Sequence, residues 1–359
     1  MAHQWILRRG TKRSGFRYVA PGGKPASAAA RARAEALAIP PAWTDVHVAT
    51  SPSAAVQAWG YDAKGRKQYR YHERAAERGQ LRKYYRVRQM ARDLPAIRDA
   101  LSRDVGSARR RSATALTKQR VAAGVVRLIG EAFFRVGNER YAQENRTFGI
   151  ATLRKRHVKR LADRVVFDYV GKESIRQRQT VCDPTLVALV DALLETPGPR
   201  LFRYRDESGA WVDLSARDVN EYLHDVLAVP YTAKDFRTWG GTLRLATILA
   251  DIGPAGTERE AKRNVNLALR LVAAELGNTP TVCRQSYVHP MVVARYLDEG
   301  VTIAPFLPRR TASRAGAQSP EERALIGFLD RYFPERRTTK RERRRARREE
   351  ASDRRELAV

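Results

Sequence analysis

The chain has 359 residues, and its 68 lysines and arginines outweigh 39 aspartates and glutamates, for a formal charge of +29. At roughly 100 to 200 residues per domain the length predicts two domains, and the charge strongly attracts a polyanion, with duplex DNA or structured RNA as the expected partner. Two cysteines, Cys182 and Cys283, exclude a disulfide framework or a cysteine-based zinc site, residues 1–12 lack the apolar core of a signal peptide, and no apolar run is long enough to span a membrane.

Short strand-like segments fill residues 5–60. Residues 16–19 and 46–49 are rich in strand-forming side chains, and proline and glycine residues at 21–23 and 40–41 interrupt them. This pattern predicts a small, mainly β domain over residues 1–80.

From residue 81 onward apolar residues recur at helical spacing, most clearly in residues 121–134, 186–194 and 265–276. The pattern predicts a larger, mainly α domain over residues 81–335. Within it, residues 164–170 and 175–181 are typical of two strands, and Gly171 and Lys172 form the turn between them, so a β-hairpin is inserted among the helices. Residues 336–359 mix charges with few apolar residues and are expected to be a disordered basic tail or a solvated helix.

The chain lacks a Gly-x4-Gly-Lys-Ser/Thr phosphate loop, an EF-hand loop and a His-Glu-x-x-His motif, which argues against a nucleotide-driven motor. Arginines and lysines instead stand next to turns and helix ends, and a tyrosine follows late in the chain. This series suits phosphodiester chemistry without a metal. The pentavalent transition state carries negative charge on two non-bridging oxygens, which planar guanidinium groups can neutralise.

Three segments resemble conserved blocks of the type IB topoisomerases of poxviruses and bacteria. FRVGNERY at 134–141, with residues 144–153, resembles the segment that bears the family's first catalytic arginine, here Arg135. YVGK at 169–172 resembles the hairpin turn that carries the catalytic lysine, here Lys172. KDFRTWG at 234–240 resembles a third block, in which Lys234 and Arg237 lie one helical turn apart and point at one phosphate.

Two later segments, NTP at 278–280 and SYVHP at 286–290, resemble the remaining blocks. Asn278 corresponds to a transition-state hydrogen-bond donor that is histidine in poxviral and eukaryotic members and asparagine in bacterial ones. An asparagine can donate to a phosphate oxygen but has no charge, so an acid–base role is excluded there. Tyr287 corresponds to the nucleophile, and the resemblance makes His289 a structural neighbour.

A sixth segment, GYDAKGRKQYRYH at 60–72, resembles the DNA-contacting part of the family's small domain. Aromatic residues interleaved with arginine and lysine suit groove and backbone contact, so we expect Lys67, Tyr69 and Tyr71 to touch DNA. Tyr141, in the first block, is expected to contact DNA as well. The resemblance also implies that the two domains, joined by a flexible connection near residues 77–80, close around duplex as a clamp.

The resemblance implies an α+β fold with a small mainly β N-terminal domain and a larger mainly α catalytic domain like that of tyrosine recombinases and type IB topoisomerases. It implies relaxation of positive and negative supercoils through a transient 3′-phosphotyrosyl bond, with no metal, ATP or other cofactor. We therefore expect a monomer that acts on supercoiled duplex DNA, in the cytoplasm at the nucleoid and not at a membrane.

Two other classes of protein share some of these features. A tyrosine recombinase has the same catalytic architecture and nucleophile, but it usually carries His-x-x-Arg where this chain has Lys234-x-x-Arg237, and histidine or tryptophan at the position of Asn278. A non-catalytic architectural DNA-binding protein would account for the charge equally well. Nothing in that role calls for the ordered set of arginine, lysine, asparagine and tyrosine.

The excess of positive charge predicts DNA binding that weakens steeply with salt. Because each neutralised phosphate releases counterions, a plot of log K against log salt concentration should be linear, with a slope of about −0.9 per neutralised phosphate. Fluorescence anisotropy with a labelled duplex over a salt series measures this slope. Binding that does not respond to salt would contradict the electrostatic interpretation.

Overall fold

The computed structural model describes residues 5–106, 116–309 and 316–333. The chain forms two compact units, Met1–Tyr84 and Tyr85–Val359. The tail expected over residues 336–359 lies outside the described residues. None of the described helices is both long enough and apolar enough to cross a membrane.

The first unit is a five-stranded antiparallel sheet with one helix, α1 (Ala28–Ala36). Its strands, in the spatial order β2-β1-β3-β4-β5, are β1 (Trp5–Thr11), β2 (Gly15–Val19), β3 (Thr44–Ala49), β4 (Val56–Tyr61) and β5 (Lys67–Tyr71). Alternate side chains of the strands meet Ala34 of the helix in a core that includes Ile6, Val46, Val48 and Ala58. The predicted mainly β N-terminal domain is confirmed.

The second unit is mainly helical, as predicted. The helix α2 (Glu73–Val105) begins in the first unit and ends in the second. The others are α3 (Lys118–Ala132), α4 (Glu139–Glu144), α5 (Pro184–Leu194), α6 (Ala216–Glu221), α7 (Ala233–Ile252), α8 (Glu258–Leu276), α9 (Pro280–Ser286), α10 (Pro290–Glu299) and α11 (Pro320–Tyr332). The helix α3 contacts α5, α6 and α7, and nine of its fifteen residues are buried, so it forms the centre of this unit.

In place of the flexible connection expected at residues 77–80, the structure has an uninterrupted stretch of α2. That connection was expected from the resemblance, and Gly79 is the one residue at 77–80 that disfavours a helix. A single glycine costs a helix only about 1 kcal/mol, and the alanine, glutamate and arginine residues before it are strong helix formers. Local propensity therefore outweighs the glycine.

The predicted hairpin is present, with strands β7 (Val165–Val170) and β8 (Arg176–Val181) in antiparallel register. A short strand, β6 (Val158–Arg160), pairs with the outer side of β7 and makes the sheet three-stranded. Phe167 and Tyr169 of β7 pack against Phe134, which follows α3. The hairpin is thereby attached to the central helix. A further pair of strands is formed by β9 (Arg203–Arg205) and β10 (Trp211–Asp213).

The chain after α3 is fixed by a close approach of two backbone segments. Gly137 has a φ of +89°, and its Cα lies so near Gly149 that a Cβ on either glycine would come within 3 Å of the other residue's backbone. The N–H groups of Ile150 and Ala151 donate to the carbonyls of Arg135 and Val136, both at 2.8 Å. These contacts hold the segment around Arg135 in one conformation.

We predict that Gly149→Ala lowers the free energy of unfolding by about 1 to 3 kcal/mol, the usual range for overpacking. The added Cβ would lie 2.5 Å from Cα and N of Gly137 and 2.6 Å from the carbonyl oxygen of Arg135. Urea denaturation measures the change. The control is Gly79→Ala, where nothing lies within 4 Å of the new Cβ and the change should stabilise α2 by up to about 1 kcal/mol. Equal effects at the two sites would contradict the close approach.

Candidate active site

The first turn of α7 carries two of the predicted site residues. The N–H and hydroxyl of Thr232 donate to Oδ2 of Asp235 at 2.8 and 2.9 Å, which fixes the start of the helix. Lys234 and Arg237 then lie one turn apart. Lys234 is exposed, whereas only 4% of Arg237 is exposed. One helical turn therefore presents a solvated cation and a buried one.

Arg237 retains unused hydrogen-bonding capacity. Its Nη2 donates to the carbonyl of Leu276 at 2.9 Å, and its Nε is buried without a hydrogen-bond partner among the described residues. Burial lowers the pKa of Arg237 to about 10, although the nearby Tyr287 phenol opposes this shift. Such a guanidinium is still a cation at neutral pH. Arg237 thus provides a buried positive charge, and its Nε–H has no acceptor among the described residues.

Arg135 lies in the irregular segment that follows α3, whose C-cap residue, Phe133, is in the left-handed conformation. Its Nη2 donates to the carbonyl of Gly277 at 2.7 Å and to Oδ1 of Asn278 at 2.5 Å. Because this bond engages the amide oxygen of Asn278, the amide nitrogen is left for another acceptor. That nitrogen is buried and has no partner among the described residues. Arg135 therefore orients a second unused donor.

Tyr287 follows α9, and its backbone is tied to α7. Its N–H donates to the carbonyl of Cys283 at 2.9 Å, and its own carbonyl accepts a long bond of 3.4 Å from the Thr242 hydroxyl. The guanidinium carbon of Arg237 lies 5.1 Å from the centroid of the Tyr287 ring. The phenol is held beside the buried cation.

Opposing effects act on the pKa of Tyr287. Burial raises it, but the charges of Arg237, Arg135 and Lys234 lower it, and the net result is a pKa below the ordinary 10.0. The structure thus brings together five of the six predicted catalytic residues: Arg135, Lys234, Arg237, Asn278 and Tyr287.

The sixth, Lys172, is not drawn into this cluster by a side-chain contact. It begins the turn between β7 and β8, and its side chain is exposed. Among the described residues, none forms a hydrogen bond or an ion pair with its ammonium group. The turn is closed by the Gly171 N–H, which donates to the carbonyl of Ile175 at 2.8 Å. The location of Lys172 is therefore set by the hairpin backbone.

The predicted DNA contacts of the first unit lie on its edge strand. Lys67, Tyr69 and Tyr71 alternate along β5 and so share one face. The Lys67 Nζ is 4.1 Å from the ring centroid of Trp59, and the two tyrosine rings stack at 5.8 Å with 43% and 55% of their surface exposed. Tyr141 belongs to the second unit, where it is half-buried on α4.

His289 caps the next helix. Its Nδ1 accepts the N–H of Met291 at 3.2 Å, which is the N-cap bond of α10, and the residue is only 1% exposed. Its backbone N–H donates to the Thr242 hydroxyl at 3.0 Å. The His289 ring therefore caps the N-terminus of α10.

The sequence analysis missed two polar groups near the site, Asp235 on α7 and Tyr169 on β7. Asp235 is 2% exposed and accepts from Nη2 of Arg86 on α2 at 2.8 Å. Tyr169 is 5% exposed, and burial raises the pKa of its phenol to about 12 against the opposing charges of Arg237 and Arg135. Alternation along β7 could have placed Tyr169 on the inward face of the hairpin. No sequence signal pairs positions 86 and 235, which are far apart in the chain.

Two family models match this chain. The model described as eukaryotic DNA topoisomerase I, catalytic core, matches residues 72–304, and the model described as bacterial DNA topoisomerase IB, N-terminal domain, matches residues 15–62. The DNA topoisomerase 1B of Acanthamoeba polyphaga mimivirus is 33% identical over 263 residues, covering 71% of this chain and 76% of the viral protein. The DNA topoisomerase 1B of vaccinia virus (strain Copenhagen) is 23% identical over 243 residues, covering 67% of this chain and 72% of the viral protein.

We predict that the Tyr287 phenol titrates below 10.0, and that Arg237→Ala raises its midpoint because the main cation favouring the phenolate is lost. The measurement is an ultraviolet titration of tyrosinate, in which subtracting the curve of Tyr287→Phe from that of the wild type isolates this phenol. Subtracting the curve of Tyr169→Phe provides the control, with a midpoint of about 12. A Tyr287 midpoint at or above 10.0 would contradict the described electrostatics.

Proposed function

The chain belongs to the type IB DNA topoisomerases, and from that membership we propose that it relaxes positively and negatively supercoiled duplex DNA with Tyr287 as the nucleophile. One strand is cleaved transiently through a 3′-phosphotyrosyl bond and then religated, without ATP or metal. The observation that carries the proposal is the convergence of Tyr287 with Arg135, Arg237 and Asn278, which leaves buried donors unused.

The unused donors suit the oxygens of a phosphodiester under attack. The Nε of Arg237 and the Nδ2 of Asn278 are buried without a partner among the described residues, so both can donate to a bound acceptor. A phosphate supplies two non-bridging oxygens whose charge grows in the pentavalent transition state. We assign Arg237 and Arg135 to bind these oxygens as cations, and Asn278 to donate a neutral hydrogen bond.

The nucleophile is prepared by the same cations. A phenol with an ordinary pKa is almost wholly protonated at neutral pH, whereas the phenolate of Tyr287 is favoured by Arg237, Arg135 and Lys234. In the proposed step the phenolate oxygen forms a bond to phosphorus and the bond to the 5′-oxygen of the next nucleotide breaks.

The leaving 5′-oxygen needs a proton, because an alkoxide is a poor leaving group. We assign this role to Lys172 on the hairpin, with Lys234 assisting, since both ammonium groups are exposed and an arginine could hardly release a proton at neutral pH. The phosphotyrosyl ester retains roughly the free energy of the phosphodiester. After strand rotation the 5′-hydroxyl therefore reverses the step without ATP.

The first unit is proposed to bind duplex through the exposed face of β5. Lys67 supplies a cation, and the exposed rings of Tyr69 and Tyr71 supply groove contacts. Tyr141 is proposed as a further DNA contact on the second unit. In this proposal residues 1–80 and 81–335 act as clamp and catalytic domains of a monomer that closes around supercoiled DNA in the cytoplasm, at the nucleoid.

The proposal predicts that the purified protein relaxes both negatively and positively supercoiled plasmid in the presence of EDTA and absence of ATP, and that Tyr287→Phe abolishes relaxation because the nucleophilic oxygen is missing. Gel electrophoresis of topoisomers measures the reaction. The matched control, Tyr332→Phe, removes a phenol oxygen far along the chain on α11 and should leave relaxation intact. Full activity in Tyr287→Phe would reject the assignment of the nucleophile.

Arg135→Ala and Arg237→Ala test whether these two arginines act in DNA binding or in catalysis. Each should slow single-turnover cleavage of a suicide duplex by roughly a hundredfold or more, the cost of losing one preorganised donor to the transition state, while duplex affinity changes little. A comparable loss of affinity would make these residues phosphate anchors, as in an architectural DNA-binding protein. Exchange of strands between two recognition sites, in place of relaxation, would favour a recombinase.

A further inference from the structure

Gln177 lies between two glycines that flank predicted catalytic residues. It is on β8 opposite Tyr169 and is only 6% exposed. A Cβ built on Gly171 would lie 2.9 Å from its Cγ, and a Cβ built on Gly277 would lie 2.2 Å from its Nε2 and 2.3 Å from its Oε1. The side chain thus occupies the space that a larger residue at either position would need.

The two glycines belong to different parts of the site. Gly171 immediately precedes Lys172, and its N–H closes the hairpin turn. Gly277 immediately precedes Asn278, and its carbonyl accepts from Arg135 at 2.7 Å. Gln177 therefore packs against the base of the lysine turn on one side and against the turn that orients Arg135 and Asn278 on the other.

The position of Lys172 depends on this packing, because no contact of its own side chain with a described residue fixes it. The ammonium group is exposed and has no hydrogen bond or ion pair within the described part of the chain. Its distance from a bound phosphate is consequently set by how the hairpin docks on the helical unit. The amide group of Gln177 lies flat on Gly277, where the hairpin meets the helical unit. All three heavy atoms of the amide would lie within 2.5 Å of a Cβ built on Gly277.

We propose that Gln177 is a positioning residue, which holds the Lys172 hairpin against the Gly277–Asn278 turn so that Lys172 reaches the leaving 5′-oxygen. The inference rests on the proposed function, because it assumes that Lys172 is the proton donor. It assigns Gln177 no contact with DNA. A displacement of the hairpin should slow only the step that needs the proton, since Arg135, Arg237, Asn278 and Tyr287 are held by other contacts.

The test compares two suicide duplexes that differ in the leaving atom. One has the natural 5′-oxygen at the cleaved bond. The other has sulfur, which leaves as a thiolate and needs no proton. With the oxygen substrate, Gln177→Ala should slow single-turnover cleavage by roughly up to a hundredfold, as expected for a displacement of about 1 Å. With the sulfur substrate, it should cleave at a rate close to that of the wild type.

Two controls run in the same assay. Thr180→Ala changes an exposed residue on the other face of β8 and should cleave both substrates normally. Lys172→Ala should show the same rescue by sulfur as Gln177→Ala. If sulfur rescues Lys172→Ala but not Gln177→Ala, the positioning role is wrong while the proposed function stands. If sulfur does not rescue Lys172→Ala, the proton donor of the proposed function is wrong, and the role of Gln177 fails with it.

A second variant covers the case in which Gln177→Ala does not fold. Gly171 has a φ of −95°, which any residue can adopt, so the tightest new contact in Gly171→Ala is with Cγ of Gln177 at 2.9 Å, while the Ile175 carbonyl oxygen and Cδ of Gln177 lie at 3.4 and 3.5 Å. Gly171→Ala should slow cleavage of the oxygen substrate and spare the sulfur substrate. Gln177→Met, which keeps the length of the side chain, should restore much of the rate lost in Gln177→Ala. Equal slowing of both substrates by Gly171→Ala would overturn the inference.

Discussion

The guanidinium of Arg237 is buried beside the ring of Tyr287, and a buried charge is tolerated only where its neighbours compensate for lost hydration. The carbonyl of Leu276 and the phenol supply part of that compensation. Asp235 stands two residues earlier on the same helix, but its carboxylate pairs with Arg86. Arg237 therefore has no carboxylate partner of its own among the described residues. In the proposed function this is electrostatic preorganisation: a phosphate pairs with a charge whose cost of placement is met during folding, before DNA binds.

The site contains arginine and lysine cations, and they differ in burial: Arg237 is buried, whereas Lys172 and Lys234 are exposed. Arginine stays protonated even when burial lowers its pKa, so Arg237 can be enclosed and still neutralise an oxyanion. A lysine enclosed in the same way would tend to lose its proton. Lys172 and Lys234 remain exposed. In the proposed function, the division between the buried Arg237 and these exposed lysines separates charge stabilisation from proton transfer.

Much of this arrangement can be predicted from the sequence, because it depends on the spacing of residues that are close together in the chain. The alternation of residues 164–181 predicts the hairpin to within a residue of the strands β7 and β8, and the Lys-x-x-Arg spacing places Lys234 and Arg237 one turn apart on α7. Contacts between distant segments were beyond such reasoning. Gln177 looks like any polar strand residue until Gly171 and Gly277 are seen on either side of it. The unbroken course of α2 past Gly79 was also missed, although the helix-forming residues before Gly79 are visible in the sequence, because the connection was expected from the resemblance.

The strand β5 forms an edge of the N-terminal sheet, and an edge strand exposes backbone groups that can pair with another chain. Natural proteins block such pairing with charged side chains, lysine above all. Lys67 and Arg70 stand on this strand, in a chain whose formal charge is +29. The cations through which β5 is proposed to bind a polyanion would also oppose sheet extension by a second copy, whose edge carries the same charges. In that proposal one set of side chains both attracts nucleic acid and keeps two copies of the chain from pairing at their edges.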